Sequence, residues 1–163
     1  MGWSPAAGRV PGCVCNARAS TPVRDCGCSA GYPHKADAAT YEGVESFWRF
    51  VADLGRPVEL AALNVGIGLG GAFVDTKLED EFRLIAINVN GTVHMAKRVA
   101  PHMVKNGRGR ILIVSSVSAL QPTPYETVYC PSKAFGFSFA ESLREELRET
   151  GVTVTAPAAR RDR

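Results

Sequence analysis

The chain has 163 residues, 45% of them hydrophobic and 21% charged, with a formal net charge of +3. That length allows one ordinary core and excludes two generous ones, and the scattered basic residues form no stripe of the kind that binds nucleic acid. No apolar run reaches the roughly 18 residues a membrane span needs, and the N-terminus lacks a basic region followed by an apolar core, so a cytoplasmic protein without a signal peptide is expected.

Residues 1–32 are rich in Gly, Pro, Ala, Arg and Cys and show neither helical nor strand periodicity, so they read as a low-order head. Cys13, Cys15, Cys26 and Cys28 form a repeated CxC pair. Four thiolates can hold zinc, but zinc sites usually space such ligands as CxxC, and no metal is assigned. Disulfides are not expected without secretion.

Regular patterning starts at Pro33. Thr40 is placed to cap a helix whose apolar positions Val44, Phe47, Trp48, Val51 and Leu54 recur every three to four residues, with Gly55 ending it. A strand is expected over 58–65, running into GIGLGG at 66–71. Glycines let backbone N–H groups approach a phosphate closely, but such a loop should open directly into a helix, and Ala72–Thr76 reads as turn. One long helix, 76–106, is expected next, capped by Asp75 and Thr76, with Leu78, Phe82, Ile85, Val89, Ala96, Val99 and Met103 as its buried stripe and Asn106–Gly107 as its stop. His94 and His102 have no third ligand in sight and read as surface or interface histidines.

Ile111–Val114 is an unbroken apolar run, as suits a strand buried on both faces of a parallel sheet, and it ends in the hydroxyls of Ser115 and Ser116. After a turn segment carrying Pro122 and Pro124, Tyr129 and Lys133 stand four residues apart at the start of a helix, which puts phenol and ammonium on one face. A neighbouring cation favours the phenolate and brings the phenol toward proton exchange with an alcohol or carbonyl. Leu120, Pro122, Pro124 and Tyr125 are available to line an apolar pocket. The helix runs to about residue 150, with Pro131 harmless if it lies in the first turn, Phe139, Leu143 and Leu147 on one face, and Glu141–Arg144 and Glu145–Arg148 on the wet side. Cys130 reads as packing. VTVTA makes a short strand, and 157–163 form a basic tail too short for another element.

The triplet Ser116, Tyr129 and Lys133, behind a buried strand, resembles the short-chain dehydrogenase/reductase family, and the resemblance runs from about Pro33 to Ala156. Residues 63–66, LNVG, resemble the family's NNAG, with Leu63 and Val65 in place of Asn and Ala. Asn88 matches the Asn that kinks the long helix and holds a water in a proton relay, and Asp37 resembles the acid that contacts the adenine ring. The resemblance implies an α/β fold, a partial doubly wound (Rossmann-like) parallel sheet flanked by helices and lacking the first strands and the last strand. No TGxxxGxG occurs in residues 1–57. What remains is a three-layer piece over 33–156 with the strand at 58–65 as an edge.

The resemblance also implies an NAD(P)-dependent oxidoreductase acting on a small alcohol or ketone. Asn88, Ser116, Tyr129 and Lys133 would be catalytic, and Asp37, Asn64, Gly66, Tyr129 and Lys133 would contact NAD or NADP, which the sequence does not distinguish. A homodimer or homotetramer through helices 76–106 and 126–150 is implied, with neither nucleic acid nor membrane as partner. The alternative is a catalytically silent fragment that keeps only this helical assembly surface.

Overall fold

The structure is a computed structural model, and it describes residues 13–16 and 31–159. The chain runs β1 (Cys13–Asn16), β2 (Gly31–His34), α1 (Tyr41–Asp53), β3 (Leu60–Leu63), α2 (Leu78–Ile85), a π-helical turn (Ala86–Gly91), α3 (Thr92–Lys105), β4 (Gly109–Ile113), β5 (Ser115–Ser116), a 3-10 turn (Val117–Leu120), α4 (Tyr129–Glu146), β6 (Val152–Thr155) and β7 (Ala158–Ala159). All strand pairs are parallel: β1 with β2, β3 with β4 with β6, and β5 with β7. Three of these strands, β1, β2 and β7, escape sequence reading. Composition gives no sign of β1 in the head, and β7 is an element in a tail expected to have none. The candidate thiolate zinc set is not assessable, because Cys26 and Cys28 lie outside the described residues.

In the three-stranded sheet, Ala61, Ile111 and Val154 form one cross-strand row, and Leu63 sits beside Ile113. That face is the core. Leu63, Ile111, Ile113, Val152 and Val154 pack with Ala96, Val99, Ala100 and Met103 of α3 and Ala140 of α4, and Trp48 of α1 reaches the same cluster. The alternate residues face the other way: Leu60 is 62% exposed, Ala62, Arg110, Thr153 and Thr155 are exposed, and Leu112 is half-buried. The expectations of a strand buried on both faces and of a three-layer piece are therefore met on one side only among the described residues. All three sheet-covering helices lie over a single face. As expected, β3 is an edge, paired only with β4 among the described strands.

Local signals explain the helix ends. The Thr40 hydroxyl accepts from the Gly43 N–H at 3.0 Å and starts α1, which gives way to Gly55 at φ +63°. The expected cap at Asp75–Thr76 is not formed. Lys77 takes the N-cap position without a side-chain bond, and the single Thr76 hydroxyl proton is shared between Glu81 at 2.8 Å and the Phe73 carbonyl at 3.1 Å.

The long helix departs from expectation in phase as well. Leu78 and Phe82 are each 61% exposed, whereas Leu84, outside the expected stripe, is fully buried with Glu81, Ile87, Asn88, Gly91 and Thr92. The π-helical turn is the physical reason. One extra residue per turn rotates everything before it by about 100° relative to an uninterrupted α-helix, so the stripe counted back from Met103 arrives one position late in α2.

The two histidines of α3, expected at a surface or an interface, are half-buried between elements of this chain. His94 Nε2 lies 2.6 Å from Glu45, which also accepts from Arg98 Nε at 2.6 Å, and the His94 ring stacks on Tyr41. His102 Nε2 accepts the Val58 N–H at 3.2 Å, and its ring packs edge-on to Trp48. These contacts join α1, α3 and the entry to β3.

Two outcomes are expected. Met103 is wholly buried, so Met103→Ala should cost about 2–5 kcal/mol in denaturant unfolding. The Arg98 hydrogen bond, against the opposing effect of burial and with help from His94, holds the Glu45 carboxyl below its ordinary pKa. Its contribution is present above that ordinary value and is lost as pH falls through the lowered one. Glu45→Gln should therefore lower the melting temperature at pH 7, and the gap to wild type should close in acid.

Candidate active site

The site is assembled where β3, β4 and β5 end. Past Leu63 the chain turns through Asn64, which is exposed, to Gly66. A β-carbon built on Gly66 would stand 3.0 Å from Lys133 Nζ and 3.3 Å from Asn88 Oδ1, so this glycine lets the backbone pass against both side chains. As the turn-like reading of Ala72–Thr76 anticipates, the glycines at 66–71 do not open into a helix, and the next one begins only at Leu78. The segment is held by its backbone instead. Ile67 N–H donates to Asn88 Oδ1 at 2.9 Å, and Asn88 Nδ2 donates to the Ile67 carbonyl at 3.0 Å.

Asn88 sits inside the π-helical turn and is buried. Its second amide hydrogen goes to Ser132 Oγ at 3.0 Å, and Ser132 in turn donates to the Tyr129 carbonyl at 2.6 Å. One side chain thus ties the loop after β3 to the first turn of α4. Thr92 Oγ1 donates to the Asn88 carbonyl at 2.8 Å, on the far side of the turn. Lys133, the residue after Ser132, carries a further link, to the strand end.

Helix α4 begins at Tyr129, which places Pro131 in the first turn, where its missing N–H is harmless. Tyr129 and Lys133 share a face as their spacing requires, with Nζ 6.0 Å from the phenol ring centroid. The ammonium donates to the Val114 carbonyl at 3.2 Å, and Ser115 Oγ donates to the Lys133 carbonyl at 2.8 Å. Ser116 is buried and accepts from the Ser118 N–H at 3.2 Å, which leaves its own proton to donate. Cys130 packs with Leu84 and Tyr129.

Asp37 is placed differently. Its carboxylate accepts the Ala39 N–H at 3.0 Å and pairs with Arg83 of α2 at 3.4 Å. The Ala39 N–H, opposed by burial and aided by Arg83, holds its pKa below the usual value. The neighbouring Ala38 carbonyl would lie 2.6 Å from a β-carbon on Gly91, so this loop rests directly on the π-helical turn. The structure therefore gathers Gly66, Asn88, Tyr129 and Lys133, sets Ser116 at the adjoining strand end, and leaves Asp37 on a separate loop packed against the same turn.

Sequence reasoning missed Ser132, and it named Ser115 as a strand-end hydroxyl without its bond to the Lys133 carbonyl. Both are small hydroxyl residues, Ser132 in the first turn of a helix and Ser115 at a strand end. That is a signal of back-bonding within a helix or at a strand end, and it does not name a partner.

A parallel sheet with hydroxyls at its strand ends, faced by a tyrosine and a lysine one helical turn apart, defines the class of fold. The family model described as short chain dehydrogenase matches residues 18–159, and the chain belongs to that family. Among similar proteins, the probable oxidoreductase EphD of Mycobacterium bovis is 37% identical over 126 residues, covering 76% of this chain and 21% of that protein. The short-chain dehydrogenase of Sphingobium yanoikuyae in complex with NADPH superposes with a TM-score of 0.76 at 27% identity, covering 82% of this chain and 52% of the other. The bulky-bulky ketone specific alcohol dehydrogenase of Comamonas testosteroni gives a TM-score of 0.75 at 25% identity, covering 82% and 53%. The chain thus spans about half or less of these relatives. Of these three, the Sphingobium yanoikuyae structure is the one described with a bound dinucleotide, NADPH.

Asn88→Ala removes three hydrogen bonds and strands the buried amide partners at Ile67. It should cost about 2–4 kcal/mol and speed amide exchange at Ile67, with helix content unchanged by circular dichroism.

Proposed function

We propose that the chain carries the catalytic half of an NAD(P)-dependent oxidoreductase that interconverts an alcohol and a ketone. The observation that carries this reading is the placement of the Lys133 ammonium over the Tyr129 ring, with Ser116 buried at the neighbouring strand end. In the reductive direction Tyr129 donates its proton to the carbonyl oxygen, and in the oxidative direction it accepts the hydroxyl proton. Ser116, whose oxygen is occupied by the Ser118 N–H, directs its own proton at the same substrate oxygen. Lys133 favours the phenolate that remains after proton transfer.

Asn88 holds the loop and the helix in register through its side chain. Its backbone carbonyl, already accepting from Thr92, has a second lone pair for a relay water.

When bound, the dinucleotide supplies or accepts the hydride. The nicotinamide-ribose end fits the residues present: Lys133 and Tyr129 would hold the ribose, with Asn64 and Gly66 beside them and Asp37 toward the adenine. The pyrophosphate end does not fit, because no Gly-rich turn opening into a helix exists among the described residues. Each charge-assisted hydrogen bond lacking there is worth up to about 3 kcal/mol, so affinity should be weak.

A second reading is an inactive piece that associates through its helices. The exposed Leu78 and Phe82 on α2 and Phe135 on α4 favour it.

Titrating NADH and NADPH against nicotinamide fluorescence separates the two. Millimolar or tighter binding, with ketone reduction falling at least about 100-fold in Tyr129→Phe at unchanged cofactor affinity, supports the oxidoreductase. No binding at millimolar cofactor, together with a dimer in sedimentation, supports the second reading.

A further inference from the structure

Tyr125 is the one non-glycine residue with positive φ among those described, at +66°. It stands third in a turn closed by the Glu126 N–H donating to the Thr123 carbonyl at 3.3 Å, with Pro124 second. A positive φ at the third position of such a turn is the place for glycine or asparagine, because a larger side chain is strained there. The strain is held by another segment. The Tyr125 carbonyl accepts the Gly71 N–H at 2.8 Å.

This bond joins the two loops that flank the candidate site, one carrying Gly66 and the other leading into Tyr129. Ile67 and Leu69 of the first loop pack on the cluster containing Tyr129. The result is an aromatic ring displayed at 67% exposure four residues from the reacting phenol, with Leu120 exposed on the same loop.

We propose that Tyr125 is a specificity-determining residue: its ring is the wall against which the non-reacting part of the substrate packs, and the preferred carbonyl compound carries an aryl or bulky alkyl group. This rests on the oxidoreductase reading above. The Gly71 bond ties the turn from which the ring projects to the loop that carries Gly66.

The test compares wild type with Tyr125→Phe, Tyr125→Asn and Tyr129→Phe, using acetophenone and acetone as probes in ligand-observed NMR and, with NADPH, in ketone reduction. Asparagine tolerates left-handed backbone, so Tyr125→Asn should melt no lower than wild type. It should bind acetophenone roughly tenfold more weakly, a loss of about 1.4 kcal/mol, with acetone unaffected. Tyr125→Phe should behave as wild type. Tyr129→Phe should still bind acetophenone while losing reduction.

If no variant reduces either ketone but the acetophenone difference stands, the oxidoreductase reading fails and the packing role survives. Equal acetophenone affinity in wild type and Tyr125→Asn, or no binding to wild type at millimolar probe, overturns the proposal. So does concentration-dependent association that Tyr125→Asn abolishes with acetophenone affinity unchanged, because the ring would then be a contact between copies.

Discussion

The amide of Asn88 is the interaction on which the arrangement depends. It satisfies both backbone groups of Ile67 and reaches Ser132 as well, so a single buried side chain sets the distance between the loop after β3 and the first turn of α4. An α-helix with unbroken register would present this position at a different angle. The π-helical turn, with Gly91 small enough to lie beneath the Ala38 carbonyl, aims it at both partners. Lys133 is then located independently from the strand side, by the carbonyl of Val114 and the hydroxyl of Ser115. Two separate sets of hydrogen bonds converge on one helix, which is how a sheet covered on one face among the described residues holds a phenol and an ammonium in a fixed relation.

Much of this was legible from residues alone, because the signals are local. Thr40 three residues before Gly43, the four-residue step from Tyr129 to Lys133, the apolar run at 111–114 and the VTVT alternation each specify geometry within one or two turns of chain, and each forms the element read from it, the burial of the second face at 111–114 excepted. The family resemblance carried by Ser116, Tyr129 and Lys133 depended on such signals too.

The failures share a different cause. The stripe at Leu78, Phe82 and Ile85 was misassigned because hydrophobic periodicity assumes constant helical pitch, and the cause of the change of pitch lies in contacts of residue 88 with residues 67 and 132, far apart in sequence. The burial of His94 and His102 depends on Glu45 and Val58, each more than 40 residues away. The one-sided sheet could not be read from Ile111–Val114, since an apolar strand looks the same whether or not helices cover its second face.

The change of pitch also constrains how this segment can vary in length. Its two halves answer to different neighbours: the residues after Gly91 are phased to the sheet, and those before it to the cluster around Leu84. Loops such as 54–59 can absorb an inserted or deleted residue locally, whereas between 85 and 91 a single deletion would restore ordinary winding, leaving Leu84 facing inward but removing the wide turn that aims Asn88 at Ile67 and Ser132. Spacing along this stretch is thus as much a structural determinant as the identity of any residue within it.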